Sequence, residues 1–441
     1  MPLADAVWLE ELAEFVRIPS VSADAAHRGD VRRAAEWIRD FLRRSGGSGE
    51  VIDRDGSPLT IGEIPASLDP APSVLVYGHF DVQPPDPLEL WESPPFELTE
   101  RGEWLYGRGV ADDKGQLYLL LKAAVELVAE GKLPVNVRVA CDGEEEVGGH
   151  TIVDFLAEDE TSPDACVIFD GAMPARDTPA LYVGVRGIVY LHLRVRTGER
   201  DLHSGVYGGA ALNAAHALLQ AITALLPRDG LLPEPLRAGI APPTSQELAD
   251  WSRLRAGADE LAAQGAQPLD AAAALEFYLR TWAQPSIDVN GIESGSPQLQ
   301  KTVLPVFAEA NVSMRLAPGQ DPDIVAPALE RLLREAVPPG AELEIERWSV
   351  SPAGVVPTSG RAVQLGLDAF ERALGVRPLL LRTGGSLPIV PALAAKGVPT
   401  ILTGFDLPDG NIHAPNERFL LEYVPLAVRA ARELFVALGQ L

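Results

Sequence analysis

The chain has 441 residues, 46% hydrophobic and 22% charged, which is typical of a globular protein of two or three domains and excludes collagen, coiled coil and disorder. Its net charge of −25 argues against nucleic acid or an anionic membrane as a partner. Two cysteines exclude a disulfide framework, and no apolar run reaches the roughly 18 residues of a membrane span. With no basic and apolar leader at the start, we expect a cytoplasmic protein.

Hydrophobic spacing predicts helices that alternate with strands in the first and last parts of the chain. Apolar residues recur with a helical period at residues 5–16, 30–44 and 113–130. Short apolar runs predict buried strands at residues 74–77, 135–139, 166–169 and 399–403. This alternation predicts an α/β catalytic domain, with a mixed sheet and helices on both of its faces.

The middle of the chain has a different pattern, which predicts an inserted domain. The predicted order is strand, helix, strand, helix, strand, at residues 188–195, 210–226, 307–316, 324–336 and 342–350. That order suits an α+β ferredoxin-like lid or dimerisation domain. We therefore expect a catalytic domain in two parts, 1–186 and 354–441, with the lid domain at 187–353 between them. The stretch 228–300, rich in Pro, Ala and polar residues, has no assigned role.

Acids and histidines gather near the ends of the predicted strands, where α/β sheets bind ligands. The candidates are His79, Asp81, Asp112, Glu145, Glu146, Asp170 and His413. Imidazoles and carboxylates suit zinc, cobalt or manganese, and one carboxylate can bridge two metals about 3.5–4 Å apart. Taken singly, these residues have simpler explanations as solvated strand ends, a helix cap or a turn. Four strand ends that carry the same ligand types favour a metal site.

Two short spacings suggest different roles for neighbouring candidates. Asp81 lies two residues after His79 and is able to hold its ring in a ligand's orientation. Glu145 and Glu146 are adjacent, so they do not point the same way in regular structure. One of them can bind metal while the other acts as a general base on water.

Several motifs in the same order identify a family resemblance. GHFDVQP (78–84), LYGRGVADDKG (105–115) and EEEVG (144–148) resemble the di-zinc aminoacylase/carboxypeptidase superfamily. DLHSGVYGG (201–209) is similar to its cytosolic non-specific dipeptidase and carnosinase branch. The resemblance extends from about residue 70 to His413 and therefore covers most of the chain.

The resemblance implies two divalent metal ions per chain, zinc by preference, with manganese or cobalt as alternatives. One metal would be held by His79, Asp112 and Asp170. The other would be held by Asp112, Glu146 and His413, so that Asp112 bridges the pair.

The resemblance also implies catalytic roles around that pair. Glu145 would be the general acid/base acting on a bridging hydroxide, and Asp81 would orient His79. His203 would reach the active site of a partner subunit in a homodimer, where it would bind substrate and steady the oxyanion.

Three further residues match substrate contacts of the family. Thr302 in KTVLP and Arg315 in MRL match positions that bind the carboxylate end of the substrate. Ser386 in GGSLP matches a contact on the catalytic domain. The segment GIESGSPQLQ (291–300) lacks part of the family's glycine-rich loop, which leaves the preferred length of the substrate open.

The predicted activity is metal-dependent hydrolysis of the peptide bond of dipeptides, with small peptides as partners. Two alternative activities would use the same metal site, because that site recognises only the amide bond. They are N-acyl amino acid deacylation or desuccinylation, and carboxypeptidase action on longer chains. A non-enzyme alternative is a metal-binding scaffold without turnover. Glu145 and Asp81 argue against the scaffold, because metal binding alone requires neither.

Overall fold

The computed structural model describes residues 6–54, 56–228, 230–385 and 387–441, which form two compact units. Unit 1 contains the described residues of Met1–Val183, Val356–Leu381 and Ala392–Leu441. Unit 2 contains those of Gly184–Val355 and Arg382–Pro391.

The elements are numbered in chain order. The helices are α1 (Ala6–Val16), α2 (Arg28–Arg44), α3 (Lys114–Ala129), α4 (Thr151–Glu158), α5 (Ser204–Tyr207), α6 (Ala214–Thr223), α7 (Ser245–Trp251), α8 (Gly257–Ala263), α9 (Phe277–Trp282), α10 (Pro322–Ala336), α11 (Arg361–Leu374), α12 (Ile389–Ala395) and α13 (Tyr423–Leu438). The strands are β1 (Ser48–Arg54), β2 (Ser57–Ile64), β3 (Ser73–His79), β4 (Thr99–Arg101), β5 (Trp104–Tyr106), β6 (Asn136–Asp142), β7 (Ala165–Phe169), β8 (Ala180–Val185), β9 (Gly187–Arg196), β10 (Leu202–His203), β11 (Ser286–Glu293), β12 (Val303–Leu304), β13 (Phe307–Leu316), β14 (Glu342–Ser351), β15 (Gly354–Val355), β16 (Leu379–Thr383), β17 (Thr400–Thr403) and β18 (Arg418–Leu420).

Unit 1 is built on a mixed sheet with the order β1-β2-β6-β3-β7-β17-β8. Its centre, β6-β3-β7-β17, is parallel, whereas β1, β2 and β8 pair antiparallel with their neighbours. Leu42 of α2 and Leu117 of α3 approach the same face of the sheet, at Gly62 and Gly78. Phe155 of α4 lies on the other face, beside Leu75 of β3. The predicted mixed-sheet α/β class is therefore confirmed.

Parallel strands in the centre of unit 1 explain why the candidate residues come together. The strands β3, β6 and β7 run in the same direction, so their carboxyl ends meet at one edge of the sheet. The strand β3 ends at His79, and Asp170 directly follows β7. Glu145 and Glu146 lie just beyond β6, in a short 3₁₀ turn at Glu145–Val147.

Unit 2 contains a four-stranded antiparallel sheet with the order β11-β13-β9-β14. Along the chain its elements follow as β9, α6, β11, β13, α10 and β14, which is the β-α-β-β-α-β order of a ferredoxin-like fold. Alternate residues of β9 and β13 pack with α6 and α10 in a shared core that includes Leu191, Leu193, Val312, Leu218 and Leu329. The predicted α+β ferredoxin-like fold is therefore confirmed.

Unit 2 contains one strand that was not predicted and one helix that is shorter than predicted. No strand was predicted at β11, because this edge strand is largely exposed and its register shifts between Val289 and Gly291, which removes regular alternation. The helix predicted over 210–226 is shorter. It begins after Asn213, whose side chain accepts hydrogen bonds from the backbone N–H groups of Ala215 and His216.

Unit 2 also includes Arg382–Pro391, a segment predicted to belong to the catalytic domain. A buried ion pair anchors it, with Arg382 Nε donating to Glu247 Oε1 at 2.6 Å. Glu247 is at the same time part of the capping box with Thr244 that begins α7. Among the described residues, none of the helices combines the length and the apolar character needed to cross a membrane.

Candidate metal centre

Five side chains of unit 1 form two groups of three that share one carboxylate. The first group is His79, Asp112 and Asp170, and the second is Asp112, Glu146 and His413, each with ligand atoms within 4.8 Å of one another. Asp112 Oδ1 lies 3.0 Å from His79 Nε2, and Asp112 Oδ2 lies 2.9 Å from His413 Nε2. The two oxygens of one carboxylate therefore face two different groups.

Besides the shared Asp112, each group contains one more carboxylate and one histidine. Asp170 Oδ1 lies 3.9 Å from His79 Nε2, and Glu146 Oε2 lies 3.2 Å from His413 Nε2. His79 is buried, but the side chain of His413 is 53% exposed and lies in a loop where its φ is 59°. The site is thus closed at one end and open to solvent at the other.

The residues in the two groups fit a pair of divalent cations. Three carboxylates and two imidazoles are the donor types that zinc, manganese and cobalt bind. Within the described chain, Asp112, Glu146 and Asp170 form no ion pair with a lysine or arginine. Burial raises the pKa of Asp170 well above its usual value, and the charge of Asp112 adds to this effect, although His79 opposes it. Cations would relieve this concentration of negative charge.

The environment of Asp112 differs from that of Asp170. Burial acts to raise the pKa of Asp112, but its hydrogen bonds with His413 and His79 outweigh burial and hold the pKa below the usual range. The lowered pKa favours the ionised form of Asp112, which is the form that binds a metal ion. The peptide bond between Asp112 and Asp113 is cis. Asp113 occupies the N-cap position of α3, but its side chain makes no capping hydrogen bond.

Asp81 contacts both His79 and the acidic turn. His79 Nδ1 lies 3.1 Å from the backbone carbonyl oxygen of Asp81 and 3.4 Å from its Oδ1. The carboxylate of Asp81 also accepts hydrogen bonds from the backbone N–H groups of Glu145 (3.2 Å) and Glu146 (3.1 Å). This second contact was not foreseen from the sequence, and it fixes the turn from which the two glutamates diverge.

Glu145 belongs to neither group of three. Burial raises its pKa to about 7, and the charges of Asp112 and Glu146 add to the increase, whereas His79 opposes it. A carboxyl group with a pKa near neutral can both accept and return a proton at neutral pH. Glu145 therefore has the environment of an acid/base group, and Glu146 has that of a ligand.

Three residues that support the site were not identified from the sequence. The buried carboxylate of Glu417 accepts hydrogen bonds from the backbone N–H groups of Ala111 (2.9 Å) and Asp112 (3.1 Å), and pairs with Arg108 Nη1 at 2.7 Å. Gln83 Nε2 donates to Glu146 Oε2 at 2.8 Å. Arg108 and Gln83 lie inside the recognised motifs, and Glu417 follows His413 by four residues. Their proximity to the motif residues could therefore have identified them from the sequence.

The predicted lid residues lie in unit 2. His203 is exposed, and its Nδ1 accepts a hydrogen bond from the backbone N–H of Gly205 at 3.0 Å. The strands β10 and β12 bring it beside Thr302, whose carbonyl oxygen accepts from the backbone N–H of Ser204 at 2.9 Å. Arg315 lies on β13, directly opposite Ser286 of β11.

The remaining predicted contact, Ser386, lies outside the described residues. The nearest described position before it is Gly385, whose carbonyl oxygen accepts a hydrogen bond from the backbone N–H of Arg186 at 3.1 Å.

Comparisons with known proteins agree with this fold and give its family. Residues 75–437 match the family described as peptidase family M20/M25/M40. A cysteinylglycine-S-conjugate dipeptidase of Corynebacterium striatum is 31% identical over 422 residues, which cover 92% of this chain and 90% of that protein. The Cys-Gly metallodipeptidase DUG1 of Saccharomyces cerevisiae is 27% identical, with coverages of 93% and 91%.

One solved structure is similar to this chain over almost the whole length of both proteins. It is an M20 family metallo-carboxypeptidase from Sulfolobus solfataricus, with a TM-score of 0.86 and 25% identity over 99% of this chain and 100% of that one. The chain belongs to peptidase family M20/M25/M40. The predicted family resemblance and the predicted class, a metallopeptidase, are thereby confirmed.

Proposed function

We propose that this protein is a dipeptidase that uses two divalent metal ions. One observation carries the proposal: two groups of three ligands share Asp112, and a separate carboxylate, Glu145, lies beside them. The names of the Corynebacterium and Saccharomyces relatives support dipeptides as the substrate class. We propose zinc as the metal, with manganese or cobalt as alternatives.

Five residues of unit 1 are proposed as the metal ligands. His79, Asp112 and Asp170 would hold one cation, and Glu146 and His413 would hold the other together with Asp112. Lewis-acid polarisation of the scissile carbonyl and a lowered pKa of the attacking water are what the bound pair supplies.

Proton transfer is the task of Glu145. It takes a proton from the attacking water and returns it to the leaving amine, a role open to a carboxylate that belongs to neither group of three ligands. Asp81 keeps Glu145 in place, because the carboxylate of Asp81 accepts hydrogen bonds from the backbone N–H groups of Glu145 and Glu146. The turn is therefore held before substrate binds, which reduces the reorganisation needed during the reaction.

Unit 1 is proposed as the catalytic domain and unit 2 as the lid and dimerisation domain. We propose that Thr302, Arg315 and Ser386 bind the substrate, with the first two at its carboxylate end. Arg315 supports this role, because the described chain contains no carboxylate within ion-pair distance of its guanidinium. Cys141 and Cys166 are buried and free, which supports a reducing, cytoplasmic location.

A carboxypeptidase is the second candidate, because the Sulfolobus structure with the TM-score of 0.86 is described as one. A substrate panel separates the two functions. Purified protein with added zinc, manganese or cobalt is assayed on dipeptides, tripeptides, longer peptides and N-acyl amino acids. We expect the highest kcat/KM with dipeptides. Preference for longer peptides would favour the carboxypeptidase, and the absence of hydrolysis with every metal would contradict a peptidase role.

A homodimer is proposed in which His203 of one subunit serves the active site of the other. Exposed apolar side chains next to His203 support burial against a second copy, since Val206 is 68% and Tyr207 is 47% exposed. His203 would donate a hydrogen bond to the developing oxyanion. The proposal predicts that two different inactive variants can restore each other.

For this test, inactive His203→Ala chains are mixed with inactive Glu145→Gln chains under conditions that exchange subunits. In a mixed dimer one site carries both substitutions and the other carries neither. Activity should therefore return to roughly a quarter of the wild-type value with random pairing. Native mass spectrometry checks that mixed dimers form. If they form and remain inactive, His203 does not act on the partner's site.

A further inference from the structure

Two arginines of unit 2 lie on either side of one serine. Arg186 lies just before β9 and is 6% exposed. Its Nη1 donates to the carbonyl oxygen of Thr281 at 2.7 Å, and its Nη2 donates to Ser286 Oγ at 2.5 Å. Ser286 is also the cross-strand neighbour of Arg315. Directly opposed residues in an antiparallel pair have Cβ atoms about 4.5–5.5 Å apart, so the side chain of Arg315 begins close to the serine that Arg186 contacts, and its charge acts on Arg186.

The region around Ser286 holds positive charge without a fixed counter-ion. In the described chain, neither guanidinium has a carboxylate oxygen within ion-pair distance. Arg186 Nε is also buried without a hydrogen-bond acceptor. Burial lowers the pKa of Arg186 to about 10, and the charge of Arg315 adds to this effect, while Asp288 opposes it. Arg186 remains charged at neutral pH, and a buried, partly unpaired guanidinium favours an anion nearby.

We propose that Arg186 is a positioning residue for the free carboxylate of the substrate, acting with Arg315. The proposal rests on the proposed function, in which Arg315 binds that carboxylate. Arg186 would contribute a second positive charge behind Arg315 and hold Ser286 in place between them. Its backbone N–H also donates to the carbonyl oxygen of Gly385 at 3.1 Å, so Arg186 contacts a second segment of unit 2.

The alternative is that Arg186 only ties β9 to β11 and to the end of α9. The two roles differ in their dependence on the substrate's charge. A structural role predicts equal loss of activity with every substrate, whereas carboxylate recognition predicts a selective loss with substrates that carry a free carboxylate.

The experiment compares a dipeptide with its C-terminal amide and follows release of the amino-terminal residue. The preference is defined as the ratio of kcat/KM for the acid to kcat/KM for the amide. Arg186→Gln should lower this preference roughly tenfold, mainly through KM for the acid, because a charge-assisted interaction is lost. Arg186→Lys should lose less of the preference than Arg186→Gln, because it keeps the charge, although one ammonium group cannot replace both side-chain hydrogen bonds of Arg186. Arg194→Met is the matched control, since it removes a partly exposed cation from the far end of β9.

The outcomes separate this inference from the proposed function. If wild type cleaves neither substrate, both are overturned. If wild type prefers the acid and folded Arg186→Gln retains the full preference, or loses activity on both substrates equally, only the role of Arg186 is overturned.

A second variant does not depend on the folding of Arg186→Gln. Asp288 is exposed, and it is the acid whose charge opposes the lowering of the pKa of Arg186. Removing that negative charge with Asp288→Asn should increase the attraction for a substrate carboxylate. We expect KM for the acid to fall roughly two- to threefold, with KM for the amide unchanged. An unchanged or higher KM for the acid would contradict the proposed role of Arg186.

Discussion

Glu145→Gln is expected to lower kcat by about 10²–10⁴-fold while both metals remain bound. The amide has almost the same shape as the carboxylate, but it can neither accept a proton from water nor return one to the leaving amine. Metal content should be retained, because Glu145 belongs to neither group of three ligands. Steady-state kinetics on a dipeptide and elemental analysis of the same preparation test the two parts of this result.

Glu144→Gln provides the matched control for that variant. Glu144 is the preceding residue in the same acidic run, and its Oε1 instead accepts a hydrogen bond from the backbone N–H of Thr151 at 2.8 Å. Since glutamine can keep that bond, kcat should remain within about threefold of wild type. Wild-type turnover in Glu145→Gln, or loss of metal from it, would show that the roles of Glu145 and Glu146 are wrongly assigned.

Asp112→Asn is expected to remove both metals and to lower activity by at least about 10³-fold, because hydrolysis at neutral pH then lacks metal activation. Asp112 is the member common to both groups, whereas Asp170 belongs to one. We therefore expect two metals per chain in wild type, one in Asp170→Asn and none in Asp112→Asn.

Thermal unfolding gives a measurement of this result that does not require activity. Ions that bind the native state alone raise its free energy of unfolding, so chelation should lower the Tm of wild type and added zinc should restore it. The Tm of Asp112→Asn should not respond to zinc. If that variant keeps two metals and its zinc-dependent Tm, Asp112 does not bridge the pair.

The sequence by itself determined the main features of unit 1 and the composition of its site. Periods of apolar residues predict α2, α3 and the central strands, because a buried face requires regular spacing. Parallel strands in turn bring their carboxyl ends to one edge. For this reason His79, Asp170 and the Glu145–Glu146 pair could be grouped although they are far apart in the chain.

Only the tertiary structure decided which groups support those residues. Glu417 accepts the backbone N–H of Asp112 from a position 305 residues away, and no local spacing predicts such a contact. The edge strand β11 has no regular alternation of apolar residues, so the sequence does not predict that Ser286 pairs with Arg315. Local patterns record which side chains a strand or helix buries. The partners of buried polar groups depend instead on how distant segments pack, because most of these groups form a hydrogen bond with whichever segment lies beside them.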